Sequence, residues 1–394
     1  MEAGTAPKVA DRTATERLYE LIGQARELPF AVTGGVALLL IPVLMLIFEG
    51  GLPDGGVAIA GLLVATAVAI AVLPRVRGNA PAIAGVILVY LFCVLVAYND
   101  LQSVAERGFI GLSTGSVFAL GAVGLTLVYG ILKLVNFAHG DLLTFGAYSA
   151  YVAYVFWGLP FVIAVVFAMA LTALLGVGLE KGMWAPMRRR GAGLLQFILM
   201  SIGLAFVIRY GIQFFYSTDL RTYGLNRSGS VGFLEDWFGI TLGTVQGIVL
   251  VGGLIVLVLT GLMLRYTLLG KRMRALSDDL ELAETAGIDT ARVILWTWIL
   301  AGSMAGLAGV GAAAITQLQP ELGFELLLPI FAAVVLGGIG NAFGALAGGL
   351  MLGLVIEWST LFVASGFKNA IGFLVLIAVL VIRPQGIFGR ERSI

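Results

Sequence analysis

Apolar residues run along this chain in long blocks, broken at intervals by short polar or basic stretches. A helix needs roughly 20 apolar residues to cross a bilayer, and fewer when packed inside a bundle. By that measure the blocks predict spans at 31–48, 57–73, 82–98, 109–133, 142–158, 161–179, 194–215, 245–264, 293–314, 326–337, 342–360 and 369–382. The blocks at 326–337 and 342–360 are so close that half-helices and a re-entrant hairpin both fit. The predicted fold class is all-α: a polytopic transmembrane helical bundle of roughly 11–12 segments, some broken or re-entrant.

The polar positions set an orientation, because short cytoplasmic loops carry the excess of Lys and Arg. Arg75 and Arg77 mark one loop, and Lys181, Arg188, Arg189 and Arg190 a second. Residues 265–292 hold Arg265, Lys271, Arg272, Arg274 and Arg292, and the C-terminal tail holds Arg383, Arg390 and Arg392. Glu49 and Asp54, and later Glu321 and Glu325, mark loops between these. In 216–242, Asp219, Glu235 and Asp236 offset Arg221 and Arg227. Counting spans places every basic loop on one side, so both termini are expected in the cytoplasm.

Residues 1–30 lack the apolar core of a secretory signal. Thr13-Ala14-Thr15-Glu16 has the spacing of a capping box, and Leu18, Leu21, Ile22 and Ala25 recur at helical spacing. An amphipathic helix on the membrane surface and a helix packed on neighbouring protein both fit. Three organisational segments follow: a cytoplasmic N-terminal piece at 1–30, extra spans at 31–100, and a motif-bearing domain at 101–394.

Composition supports lipid as the main solvent. The chain has 394 residues, of which 59% are hydrophobic and 12% charged, with mean hydropathy +1.01. Soluble domains carry about 25% charged residues. A net charge of +1 gives no bulk attraction to nucleic acid. One cysteine, Cys93, and one histidine, His139, cannot build a zinc site or a disulfide framework, so no metal is expected. Cys93 reads as a small packing residue.

Small-xxx-small spacing recurs at Gly111/Gly115, Gly302/Gly306, Gly344/Gly348 and Gly349/Gly353, where helix backbones could approach closely. Static packing explains any one pair. Polar residues break the apolar pattern at Asn136-Phe137-Ala138-His139-Gly140-Asp141. A broken helix lining a path fits this segment; so does a cytoplasmic turn, with Asp141 at a helix start where the dipole favours an anion. A second Gly/Asn break holds Gly338, Gly340 and Asn341. Transporters often bring such breaks together at the substrate, which makes Asn136, His139, Gly140, Asp141, Gly338, Gly340 and Asn341 the candidate path residues. In 265–292, basic residues give way to Asp278, Asp279, Glu281 and Glu284, then Ala286 and Gly287, the latter fitting a helix C-terminal cap. A partner-docking surface and a solvated helix both fit.

Other classes fare worse. An intramembrane enzyme needs convergent acids, nucleophiles or ligands, and this chain is poor in them. A self-contained ion-coupled carrier places ionisable groups mid-span, whereas Arg209 and Glu357 are expected near span ends. No Gly-Lys-Ser/Thr phosphate loop occurs; Gly270-Lys271 is followed by Arg272.

Several stretches carry a family likeness, in order. Residues 111–147, from Gly-Leu-Ser-Thr-Gly-Ser to Asn-Phe-Ala-His-Gly-Asp, resemble a LivH-type permease of branched-chain amino acid ABC importers. Residues 270–309 are similar to that family's central loop and following helix, residues 331–353 to its glycine hairpin, and Arg-Pro-Gln-Gly-Ile-Phe-Gly-Arg at 383–390 to its closing motif. The resemblance implies a prokaryotic inner-membrane importer containing a second, LivM-like permease, two cytoplasmic ATPases that hold the ATP, and an extracytoplasmic solute-binding protein. This chain would bind no cofactor and catalyse no reaction. Residues 278–289 would form the coupling helix, with Asp278, Asp279, Glu281, Ala286 and Gly287 at the ATPase. Related permeases serve urea, short amides or sugars; the Asn-Phe-Ala-His-Gly-Asp segment favours the amino-acid and urea branch. Residues 1–100 depart from the family pattern.

Overall fold

The computed structural model describes residues 80–133, 135–226, 229–238, 240–382 and 385–389. The N-terminal amphipathic helix and the spans at 31–48 and 57–73 lie outside these residues. The chain divides into two compact units, Met1–Asn99 and Asp100–Ile394. In the first, the described part is one apolar helix, α1 (Ala80–Tyr98).

The second unit is a helical bundle. Its helices are α2 (Leu101–Leu132), α3 (His139–Tyr151), α4 (Phe161–Leu179), α5 (Ala185–Arg189), α6 (Leu194–Tyr216), α7 (Gly232–Phe238) and α8 (Thr244–Tyr266), then α9 (Leu268–Asp278), α10 (Leu280–Thr285), α11 (Thr290–Ile315), α12 (Leu322–Gly337), α13 (Ala342–Ser359) and α14 (Lys368–Ile382). Two π-helical turns, Val152–Phe156 and Glu180–Trp184, extend α3 and α4. Among the described residues, six helices are long and apolar enough to cross a membrane: α2, α4 with its extension, α6, α8, α11 and α13. The chain is an integral membrane protein with an all-α, polytopic bundle.

Asp100 starts α2. Its carboxylate accepts hydrogen bonds from the Ser103 backbone N–H at 3.0 Å and from the Ser103 hydroxyl at 2.5 Å, closing off a free donor of the first turn. The helix ends at Lys133, whose φ of 52° turns the chain out of helical geometry. Glycine then decides what α2 can touch. Gly111 and Gly115 lie against the backbone of α13 at Gly353 and Gly349, so the two helices meet almost backbone to backbone. Gly302 and Gly306 of α11 face Thr172 and Ala173 of α4; Gly344 and Gly348 of α13 face Gly337 and Ala333 of α12.

Burial divides the spans. Of the most apolar stretch of α2, 89% is buried, and of α11, 67%. For α4, α6 and α8 the shares are 28%, 22% and 28%. These outer helices present Val162, Val166, Leu199, Phe214, Phe215, Val251 and Ile255 to the surroundings. Hydrocarbon is the solvent that tolerates such a surface with its backbone groups satisfied inside each helix.

Candidate functional site

Two helix starts meet inside the second unit. The ring Nε2 of His139 lies 3.0 Å from the Gly121 carbonyl oxygen, which can only accept, so that nitrogen carries the proton. Gly121 lies eleven residues before the end of α2, so α3 begins about 16 Å back along α2 at 1.5 Å per residue. The segment from Asn136 to Asp141 therefore re-enters the bundle. Its polar side chains are closed off: Asn136 is 0% exposed, and His139 and Asp141 1%. Asn136 Oδ1 accepts from the Ala138 N–H at 3.1 Å, while its Nδ2 finds no partner among the described residues.

The first turn of α12 packs on this start. A methyl group at Gly140 would collide with the carbonyl oxygen of Gly323, and one at Gly323 with that of Gly140. The Thr144 hydroxyl accepts from the Gly323 N–H at 2.9 Å. α6 closes the cluster from the lipid side. Arg209 donates from Nε to Asp141 Oδ1 at 3.0 Å and from Nη2 to Oδ2 at 3.2 Å, and its guanidinium stacks 4.3 Å from the Phe324 ring centre. One turn on, Gln213 Nε2 donates to Glu321 Oε1 at 2.8 Å.

This geometry corrects two expectations. Arg209 is not a span-end residue: it lies seven residues inside the end of α6, buried against Asp141. Glu325 is not a loop residue either. α12 begins at Leu322, so Glu325 stands in its first turn; an acid at the edge of an apolar block looks like its end, while the helix starts one turn earlier. Glu357 does sit near the end of α13 and receives Lys368 Nζ at 2.7 and 2.8 Å.

The second Gly/Asn break is a tight hairpin. Gly338 and Gly340 have φ of 99° and 87°, which side chains rarely adopt. Asn341 Oδ1 caps α13 through the N–H groups of Phe343 and Gly344, both at 3.1 Å, and its Nδ2 donates to the Phe388 carbonyl. The structure thus keeps the two candidate path segments apart, one at the start of α3 and one between α12 and α13.

Neither lines the cavity beside α2. That cavity, about 500 Å³, lies between α2, the end of α11 and the first turns of α12. Val117, Phe118, Ile315 and Leu326 form its apolar wall, and Thr114, Thr316, Gln317, Gln319 and Glu325 its polar part. Sequence reading missed this site because its polar residues come from three separate elements and form no longer run than Thr316-Gln317.

At the opposite end of α11, α9 and α10 form a small platform. Thr267 caps α9 through the Gly270 N–H, and Asp279 caps α10 through the Leu282 N–H. Met273, Leu276 and Ala283 are buried beneath it. Asp278, Asp279, Glu281, Glu284, Ala286 and Gly287 are all exposed, with Leu282 67% exposed among them. Gly287 has φ 80° and ends the platform. Lys133 Nζ reaches the Ser277 carbonyl at 3.1 Å, tying the platform to the end of α2.

The family model for "Branched-chain amino acid transport system / permease component" matches residues 107–382. The high-affinity branched-chain amino acid transport system permease protein LivH of Escherichia coli (strain K12) is 33% identical over 297 residues, covering 72% of this chain and 95% of LivH. The corresponding protein BraD of Pseudomonas aeruginosa is 29% identical, covering 74% of this chain and 97% of BraD. The ribose import permease protein RbsC of Escherichia coli (strain K12) is 29% identical, covering 68% and 83%. No solved structure matches the chain.

Proposed function

The chain belongs to the family of branched-chain amino acid transport system permease components, and from that premise we propose that it forms one half of the membrane path of an ATP-driven importer for branched-chain amino acids. The platform α9–α10 carries this reading. It offers Leu282 to water, between acids, in a loop outside the spans, and two caps hold it rigid. A rigid exposed apolar residue ringed by charge is the surface a partner protein covers. We assign that partner as an ATPase subunit in the cytoplasm, with Asp278, Asp279, Glu281, Ala286 and Gly287 at the contact. ATP is bound and hydrolysed there, and this chain contributes no catalysis.

The remaining parts follow. A second permease completes the path along the cavity face of α2, α11 and α12, and an extracytoplasmic binding protein delivers solute to the other end. In this arrangement both termini are cytoplasmic. Asn136, His139, Gly140 and Asp141, with Gly338, Gly340 and Asn341, shape the path from behind its wall by fixing the re-entrant start and the hairpin.

Purification of the complex from native membranes, with mass spectrometry of its subunits and of any bound small molecule, tests the proposal. Two ATPases, a second permease and a binding protein carrying leucine, isoleucine or valine are expected. The same partners with urea or an amide would keep the mechanism and overturn the substrate. Absence of any ATPase, with other membrane complexes intact, would overturn the importer. A finer test replaces Glu281 and Gly287 together. Insertion should be unchanged and ATP hydrolysis uncoupled from uptake; undiminished uptake would remove the platform from the coupling role.

A further inference from the structure

Among the described residues, the buried acids of this unit are paired. Asp141 holds Arg209, Glu180 holds Arg188 and accepts from Trp298 Nε1 at 2.8 Å, and Glu357 holds Lys368. An unpaired carboxylate in hydrocarbon is expensive, and pairing is the usual remedy. Glu325 is not one of these buried acids: it is exposed. It stands in the first turn of α12, three residues past the helix start. It has no ionic or hydrogen-bonded side-chain partner among the described residues, and it stands on the wall of the cavity.

The rest of that cavity defines what could pair with it. Gln317 and Gln319 place two amide side chains there, each with both donor and acceptor groups. Val117, Phe118, Ile315 and Leu326 form the apolar side. Among the described residues, no lysine or arginine lines it. A lone anion, neutral hydrogen-bonding groups and an apolar wall together complement a molecule with an ammonium group, a carboxylate and an aliphatic side chain. The volume, about 500 Å³, is at the scale of small-molecule sites.

We propose that this cavity is a transient binding site for an aliphatic α-amino acid in transit, in which Glu325 receives the substrate ammonium while the aliphatic chain rests on the α2–α11–α12 wall. The inference rests on the importer reading and sharpens it. A neutral amide or urea offers no cation to Glu325, so the site selects amino acids within the path and not only at the delivering protein.

The test is uptake by the complete importer in proteoliposomes, wild type against Glu325→Gln and Glu325→Asp. The inserted complex, its subunit composition and its ATP hydrolysis without substrate should be the same for all three. Leucine uptake should fall about tenfold in Glu325→Gln, the scale of one lost charge-assisted hydrogen bond, and recover in large part in Glu325→Asp. A purely steric role would not produce that recovery. Wild-type leucine uptake by Glu325→Gln would overturn the proposal and leave the importer standing. Loss of the second permease from the Glu325→Gln complex would also overturn it, by assigning the carboxylate to the subunit interface. A wild-type complex that imports only neutral amides would overturn both this proposal and the amino-acid substrate.

Discussion

α2 and α6 are both membrane-length, both apolar and of nearly equal mean hydropathy, yet 89% of the apolar stretch of one is buried and 22% of the other. Small residues make the difference. α2 carries Gly111, Gly115, Gly121 and Gly124, each with a neighbour close above it, whereas Gly203 and Gly211 of α6 face open space. Lipid tails are as apolar as leucine, so hydrophobicity cannot sort helices inside a membrane; close packing and polar ties can. The inner helices touch through backbone, and the outer ones hang on them by side chains. α6 has added polar ties: Gln213 donates to Glu321, and the Arg209–Asp141 pair binds this outer helix to the re-entrant start of α3.

Breaking that tie should produce the largest effect. Asp141→Leu or Arg209→Met alone leaves a buried charge uncompensated and should cost about 3–5 kcal/mol, read as a lowered unfolding temperature of the purified complex. The double variant should recover most of the loss. Single variants as stable as wild type would show that the pair does not hold α6 to α3.

A smaller effect separates the two classes of glycine. A side chain at Gly349 would meet the Ala119 backbone at 2.5 Å, so Gly349→Leu should destabilise by about 1–3 kcal/mol. Gly203→Leu, on the open face of α6, should stay within about 0.5 kcal/mol. Equal losses would break the distinction between inner and outer helices. Smallest of all should be Phe214→Ala on the lipid face, 83% exposed: a change within about 0.5 kcal/mol in the same melting assay. A larger loss would mean that another protein, not lipid, covers that face of α6.

Much of the fold was legible because hydropathy needs no tertiary information. Each span predicted from residue 82 onward coincides with a helix, and the break between 326–337 and 342–360 is a hairpin turned by Gly338 and Gly340. The site was less legible. The Asn136–Asp141 break showed in the pattern, but its depth did not, because nothing local says that the chain re-enters alongside Gly121. Asp141 and Arg209 are 68 positions apart, and a pairing at that separation leaves no local signature. Glu325 was hidden by a boundary rule: an acid next to an apolar block was counted as loop, while the backbone continued as helix one turn further.

The central claim is that transport through this chain is driven from the platform by a partner ATPase. Its most direct test is leucine uptake into proteoliposomes containing the complete importer and, separately, this chain alone. Uptake that requires ATP and the ATPase subunits, and that collapsing ion gradients does not change, is the predicted result. Gradient-driven uptake by this chain alone would contradict the claim and make it a self-contained carrier.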